Sequence, residues 1–211
     1  MGDVILIYGK PGSGKSHSLQ NFGEDEILLI QAERKRLPFR GKFKYTLVSD
    51  QIITIEDQLK KMPCKTAVID DAGYILSNMF MRSIGSGKTG SKVYDLYNEI
   101  GFSFWHLFNF IKDLPDDIIV YFIMHEDTTD SGETKLRTIG KLLDEKVVLD
   151  GKVTICLRCM SKEGRHFFRT VTDSYDITKS PSGLFDKEEI PNDLKLVDDK
   201  IRNFYGIGGK K

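Results

Sequence analysis

The sequence predicts an α/β fold in which a mostly parallel sheet is flanked by helices and followed by a C-terminal β-hairpin. Short apolar runs bounded by turn residues alternate with helix-period segments, the pattern of strands buried on both faces beneath helical crossovers. Late in the chain the period changes to two, in a pair of alternating runs around a tight polar turn. A length of 211 residues suits one such domain, able to bury roughly 70% of the surface its unfolded chain exposes.

The strands expected in order are Val4 to Tyr8, Ile27 to Gln31, Lys44 to Val48, Thr66 to Asp70 and Ile118 to Met124. Helices are expected from Lys15 to Asn21, from Ile55 to Lys61 behind a Thr54/Asp57 capping pair, and from about Lys92 to Lys112. The aromatics of the long helix (Tyr94, Tyr97, Phe102, Phe104, Trp105, Phe108, Phe110) read as core packing rather than a base-stacking face. Lys152 to Met160 and His166 to Val171, joined through Ser161-Lys162-Glu163-Gly164, form the hairpin. A polar stretch from Thr178 to Pro191 leads to an amphipathic helix, Asp193 to Tyr205. The expected organisation is a single domain over 1–211: a core over 1–150, hairpin and loop over 151–191, a helix over 192–205 and a flexible tail over 206–211.

Lysine plus arginine equal aspartate plus glutamate at 31 each, so the whole molecule makes no electrostatic case for or against a polyanion, and any basic site is local. Three cysteines, Cys64, Cys156 and Cys159, fit free thiols in a reducing compartment better than a disulfide framework. Cys156 and Cys159 form a C-x-x-C, but on a strand residues three apart face opposite sides, which favours buried thiols over zinc. No segment approaches the ~20 apolar residues of a membrane span. The first strand begins by Val4, which leaves no room for a signal peptide, and Leu6 stands where myristoylation expects Ser or Thr. A soluble, intracellular protein is expected.

The chemistry-bearing segment is Gly9-Lys10-Pro11-Gly12-Ser13-Gly14-Lys15-Ser16, a G-x-x-x-x-G-K-[ST] run between a strand and a helix. Its glycines allow backbone N–H groups to wrap a β-phosphate, a solvent-facing Lys15 reaches β/γ oxygens, and the Ser16 hydroxyl ligates Mg²⁺, with His17 completing the contact set. ATP and Mg²⁺ are the implied ligands. Ala67-Val68-Ile69-Asp70-Asp71 is an apolar strand ending in acid, the Walker B pattern, in which Asp70 holds the Mg²⁺ shell. Two more strands end in polar residues at the same sheet edge, Gln31-Ala32-Glu33 and Met124-His125-Glu126, so Glu33 is a candidate base and His125 a candidate γ-phosphate sensor. A second Gly-Lys-Thr, at Gly85-Ser86-Gly87-Lys88-Thr89, lacks a preceding strand and reads as a loop.

Leu28-Leu29-Ile30-Gln31-Ala32-Glu33, Ile69-Asp70-Asp71 and Tyr121-Phe122-Ile123-Met124-His125 resemble, in order, the RecA-type P-loop NTPase core. The chain is similar to the small phage-encoded RecA-like ATP-binding proteins, a group that includes single-strand annealing proteins, over roughly Val4 to Phe185. This resemblance implies a RecA-like core, ATP hydrolysis, binding of single-stranded DNA and self-association into a ring or filament. It also implies a place in the cytoplasm of an infected bacterial host, beside a single-strand binding protein or another replication protein. In that core the glutamate after the second strand positions the attacking water. Asp71, however, stands where the recombinases often have serine and matches AAA-type enzymes, in which the second acid is the base, so Glu33 and Asp71 both remain candidates.

Arg82, Lys88 and Lys92, in an acid-free stretch from Met79 to Lys92, lie where the family places a DNA-binding loop. The densest basic cluster, Arg34, Lys35, Arg36, Arg40, Lys42 and Lys44, is interleaved with Phe39, Phe43 and Tyr45 and suits DNA or a subunit interface. Lys141 and Lys179 are candidates for a cation supplied to a neighbouring subunit's site. A replication-module switch or helicase loader acting on a protein partner, or a small-molecule or nucleotide kinase, are the alternative functions.

Overall fold

The computed structural model describes all residues except 88, 89, 91, 140–142, 144–146 and 209–211, and the side chain of Lys92. Among these residues nine strands form one sheet: β1 (Asp3–Gly9), β2 (Ile27–Gln31), β3 (Tyr45–Val48), β4 (Thr66–Asp70), β5 (Ile119–Thr128), β6 (Thr134–Leu136), β7 (Ile155–Lys162), β8 (Arg165–Arg169) and β9 (Glu189–Pro191). Their order is β3-β2-β4-β5-β1-β7-β8-β9, with β6 paired to β5. Six strands, β1 to β5 and β7, run parallel, and β6, β8 and β9 pair antiparallel. The mostly parallel α/β sheet expected from the sequence is therefore present.

Side chains alternate across β1: Val4, Leu6 and Tyr8 belong to one buried cluster, Ile5 and Ile7 to the other. Both faces are thus cores, which explains why the strand reads as an unbroken apolar run. One face is covered by α1 (Ile52–Lys61), α2 (Gly73–Gly85) and α3 (Lys92–Lys112). The other is covered by α4 (Leu194–Tyr205), Leu19 and Phe22. Cys156 joins the first core and Cys159 the second, so the C-x-x-C thiols face opposite sides of the sheet.

Several local expectations need correction. The helix expected from Lys15 is a six-residue 3-10 helix, Ser16–Asn21, ended by Phe22 in an extended conformation. Helix α1 starts at Ile52 with Gln51 as its cap, so Thr54 and Asp57 lie inside it, and Asp57 instead pairs with Lys61. Much of the stretch read as a DNA loop is helix α2, which ends only at Gly85, while Lys92 opens α3. The aromatic stripe of α3 is divided: Phe104 and Phe108 pack on Phe122 of β5, but Tyr94, Phe102 and Trp105 are exposed. Strand β9 adds a rung where only a polar stretch was expected. The hairpin turn narrows to Glu163 and Gly164, both at positive φ, the conformation a two-residue turn between twisted strands requires.

Helix α4 is locked to the sheet by a buried polar network. Asp198 caps its contact with hydrogen bonds accepted from Tyr121 Oη (2.9 Å), Arg202 Nε (2.7 Å) and Thr66 Oγ1 (3.2 Å). Asp198 and Tyr121 are buried, so neither can substitute water for a lost partner. Removing Asp198 leaves the Tyr121 and Thr66 hydroxyls and the Arg202 Nε–H without their acceptor, a loss of about 3–5 kcal/mol in all. Asp198→Ala should therefore lower the melting temperature by roughly 6–20 °C, while Tyr121→Phe, which removes one neutral donor, should shift it far less; thermal unfolding followed by circular dichroism measures both.

Candidate functional site

Parallel pairing of β1, β5, β4 and β2 brings their C-terminal ends to one edge, with Gly9 opposite His125 and Gln31 opposite Asp70. Beyond this edge lies a cleft of about 510 Å³ lined by Pro11, Gly12, Gly14, Lys15, Ser16, His17, Lys35, Arg36, Pro38, Asp70, Asp71, His125 and His166. The loop from Gly9 to Ser16, the acids at the end of β4 and His125 are thus one site, although His125 lies within β5, which runs on to Thr128 and pairs with β6 instead of ending at Met124 as expected. Lys10 and Ser13 line the adjoining pocket with Arg158 and Glu126.

Within the cleft Lys15 is only 6% exposed, not solvent-facing as expected. Its ammonium donates to the carbonyls of Gly9 and Lys10, each at 2.8 Å. Burial lowers the Lys15 pKa from its usual value, against the raising influence of Cys159, Asp71 and Asp70. The Ser16 hydroxyl donates to Asp70 Oδ1 at 2.8 Å. Burial first, then the charge of Asp71, pushes the Asp70 carboxyl up to about 6, against the Ser16 hydrogen bond. Burial also acts to raise Asp71, but the hydrogen bond from His125 and the Lys35 ammonium outweigh it and hold the carboxyl at about 2.

Asp71 occupies the left-handed region with φ 58°, a conformation that aspartate tolerates better than most residues. This turn carries the chain from β4 into α2, and Asp71 meets Lys35 Nζ at 2.5 Å and His125 Nε2 at 3.3 Å. Tyr74 stands edge-on to His125, and the Lys35 ammonium lies 4.8 Å above the Tyr74 ring. Glu33 is placed differently. Its Oε1 accepts from Asn78 of α2 at 2.9 Å, and it is not among the residues lining the cleft.

The residues present fit a magnesium-bound nucleoside triphosphate. Ser13 Oγ and the Nδ1 atoms of His17, His125 and His166 are buried without a hydrogen-bond partner among the described residues, leaving polar groups around the loop for a ligand. Ser16 and Asp70 offer adjacent hard oxygen donors for Mg²⁺, and Lys15 is already inside the loop that would wrap the phosphates. Bound Mg²⁺ would supply charge neutralisation at the transferring phosphoryl group. Loop N–H groups carry the anion binding here more than a helix dipole, because the following helix is a short 3-10 segment.

A supporting set was not legible as function in the sequence. Asn192, just before α4, donates to the Gly14 carbonyl at 3.0 Å, and Cys159 of β7 donates to the Ser13 carbonyl at 3.1 Å. A Cβ at Gly14 would lie 2.7 Å from both Asn192 Nδ2 and the His166 ring, so only glycine fits beneath them. Lys35 was visible only as one member of a basic cluster. Among the remaining candidates, Arg82 is engaged with Asp50 at 2.5 Å. Lys88 and Lys141 lie outside the described residues, as does the side chain of Lys92. The Lys179 backbone is bridged to Cys156, and Lys179 does not line the cleft.

A sheet with β5 inserted between the loop-bearing β1 and the acid-bearing β4, opening on that cleft, defines a P-loop nucleotide-binding protein. A family model described as AAA domain matches residues 1–187, and the chain belongs to that family of P-loop ATPases. Comparison with curated proteins gives no match. No helix among the described residues is long and apolar enough to cross a membrane.

Asn192→Ala should weaken Mg·ATP binding roughly 5- to 30-fold, the size of a lost buried hydrogen bond of about 1–2 kcal/mol, with the far-ultraviolet spectrum unchanged. Calorimetric titration checks it, and unaltered affinity would show that the clamp is not needed.

Proposed function

We propose that this protein is a Mg²⁺-dependent ATPase whose nucleotide state governs assembly on single-stranded DNA, in the service of annealing or strand pairing of the phage recombination type. The observation that carries the DNA reading is a basic lip continuous with the nucleotide cleft. Lys35 and Arg36 line the cleft, and Arg34, Arg40, Lys42 and Lys44 of the same segment are exposed. Exposed cations of this kind bind a nucleic-acid backbone by releasing its counterions. The Met79 to Lys92 region is the weaker candidate, because half of it is helix and Arg82 is already paired with an acid.

Single-stranded DNA binding should fall with salt at a slope of about 0.7 per phosphate contact, and Arg36→Ala with Arg40→Ala should reduce that slope by roughly one to two contacts. Fluorescence anisotropy of a labelled oligonucleotide, with and without Mg·ATP, measures both. A protein-partner reading, as a loader of another replication protein, is favoured by the exposed Ile53 and Phe102 bordering one groove beside Met79. Absence of DNA binding at low salt in either nucleotide state would select it. Assembly into a ring or filament, with Lys141 or Lys179 acting on a neighbour, belongs to the same proposal and makes turnover per subunit rise with protein concentration.

In hydrolysis Asp71 takes the base role ahead of Glu33, since Asp71 faces the cleft with His125 while Glu33 is bonded to Asn78. Asp71→Asn should retain ATP binding and slow turnover by ~10²–10⁴, the usual range for a positioned base, whereas Glu33→Gln should cost less than about tenfold. Phosphate-release kinetics decide between them. The reverse ranking would return the role to Glu33.

A further inference from the structure

We infer that Lys35 is a nucleotide-state arm, binding the γ-phosphoryl group of ATP when it is present and closing onto Asp71 when it is absent. This inference rests on the ATP reading of the cleft and extends it to a residue outside both motifs.

The base of the arm is fixed and its tip is half exposed. Gln31, the last residue of β2, donates from Nε2 to the Lys35 carbonyl at 3.0 Å, tying this point of the loop to the sheet edge. The Lys35 side chain is nonetheless 50% exposed, against 12% for Asp71. Its ammonium reaches across the cleft mouth to Asp71 and rests over the Tyr74 ring. Four rotatable bonds from an anchored backbone let that charge move without moving the fold.

The other cation facing the loop differs in kind. Lys15 is buried and held by two carbonyls of its own loop, so it marks the phosphate position whichever nucleotide is bound. Among the described residues Lys35 instead has a single ion-pair partner, and that partner is a carboxylate just after β4 beside Asp70. A γ-phosphoryl group brings more negative charge and more acceptor oxygens than one carboxylate, and so competes for the ammonium. With its ammonium half in water, Lys35 can exchange one anionic partner for another. When Lys35 leaves, Asp71 keeps His125 as a partner and gains an unobstructed oxygen toward the cleft. With the γ-phosphoryl gone, the arm returns and covers that oxygen.

The test is calorimetric binding of Mg·ATPγS and Mg·ADP to the full chain and its Lys35→Met, Lys35→Arg and Lys15→Ala variants. Lys35→Met should weaken Mg·ATPγS roughly tenfold to hundredfold, the effect of one hydrogen bond to a charged group, and leave Mg·ADP within about threefold. Lys35→Arg should restore the preference for ATPγS, which a merely structural lysine would not require. An ATPγS-to-ADP affinity ratio unchanged in Lys35→Met, beside normal binding by the unaltered protein, would overturn the arm alone. Absent binding by the unaltered protein, or full binding by Lys15→Ala, would overturn the ATP reading and the arm with it.

Discussion

The parallel pairing of β1, β5 and β4 is the constraint on which the site depends. Parallel strands in register run in one direction, so the loop after β1, the acids at the end of β4 and the histidine on β5 arrive at one edge without any contact having to be arranged between them. Burial on both faces then makes the register costly to change, because a slip of one residue would exchange the side chains of the two cores. The chemistry is therefore positioned by packing far from it, by core residues such as Phe122, Ile69 and Leu6 that do not line the cleft.

That edge carries an electrostatic problem, two adjacent carboxylates partly withdrawn from water. The structure answers it asymmetrically. Asp70 is buried against a neutral hydroxyl, and its carboxyl is raised by that burial; Asp71 turns through a left-handed backbone toward a lysine and a histidine and is lowered. Two chemically identical side chains adjacent in sequence thus acquire different properties, one seated beside a hydroxyl as a hard oxygen donor and the other held as an anion paired with cations.

The C-terminal part of the chain contributes to the site by bracing rather than by lining alone. Cys159 and Asn192 hold the rear of the phosphate loop by hydrogen bonds to the Ser13 and Gly14 carbonyls, with the His166 ring close against Gly14, and Asp193 both caps α4 and accepts from Asn21 at the end of the 3-10 helix. A short 3-10 segment would be a weak support for a phosphate loop by itself, since it makes few backbone hydrogen bonds of good geometry. The hairpin and the start of α4 replace what a longer helix would have supplied.

By itself the sequence determined the elements whose signal is local. The five leading strands, the long helix from Lys92, the hairpin and the phosphate loop all follow from periodicity, turn chemistry and one spaced motif, because each is written in neighbouring residues. What escaped it depended on distance in space. Helix α2 lacked a capping signal, with no side-chain cap at Ala72, and β6 and β9 are three-residue strands that exist only because a neighbour offers free backbone. Of the two candidate bases at strand ends, the sequence favoured Glu33 through the family resemblance; only the fold shows Glu33 turned to Asn78 and Asp71 turned to the cleft. Asn192 lies 178 positions from Gly14, and Lys35 lies 36 from Asp71. Local pattern fixes which residues can do the chemistry, but a hydrogen bond of 3 Å or so is decided by the packing of elements that the pattern does not connect.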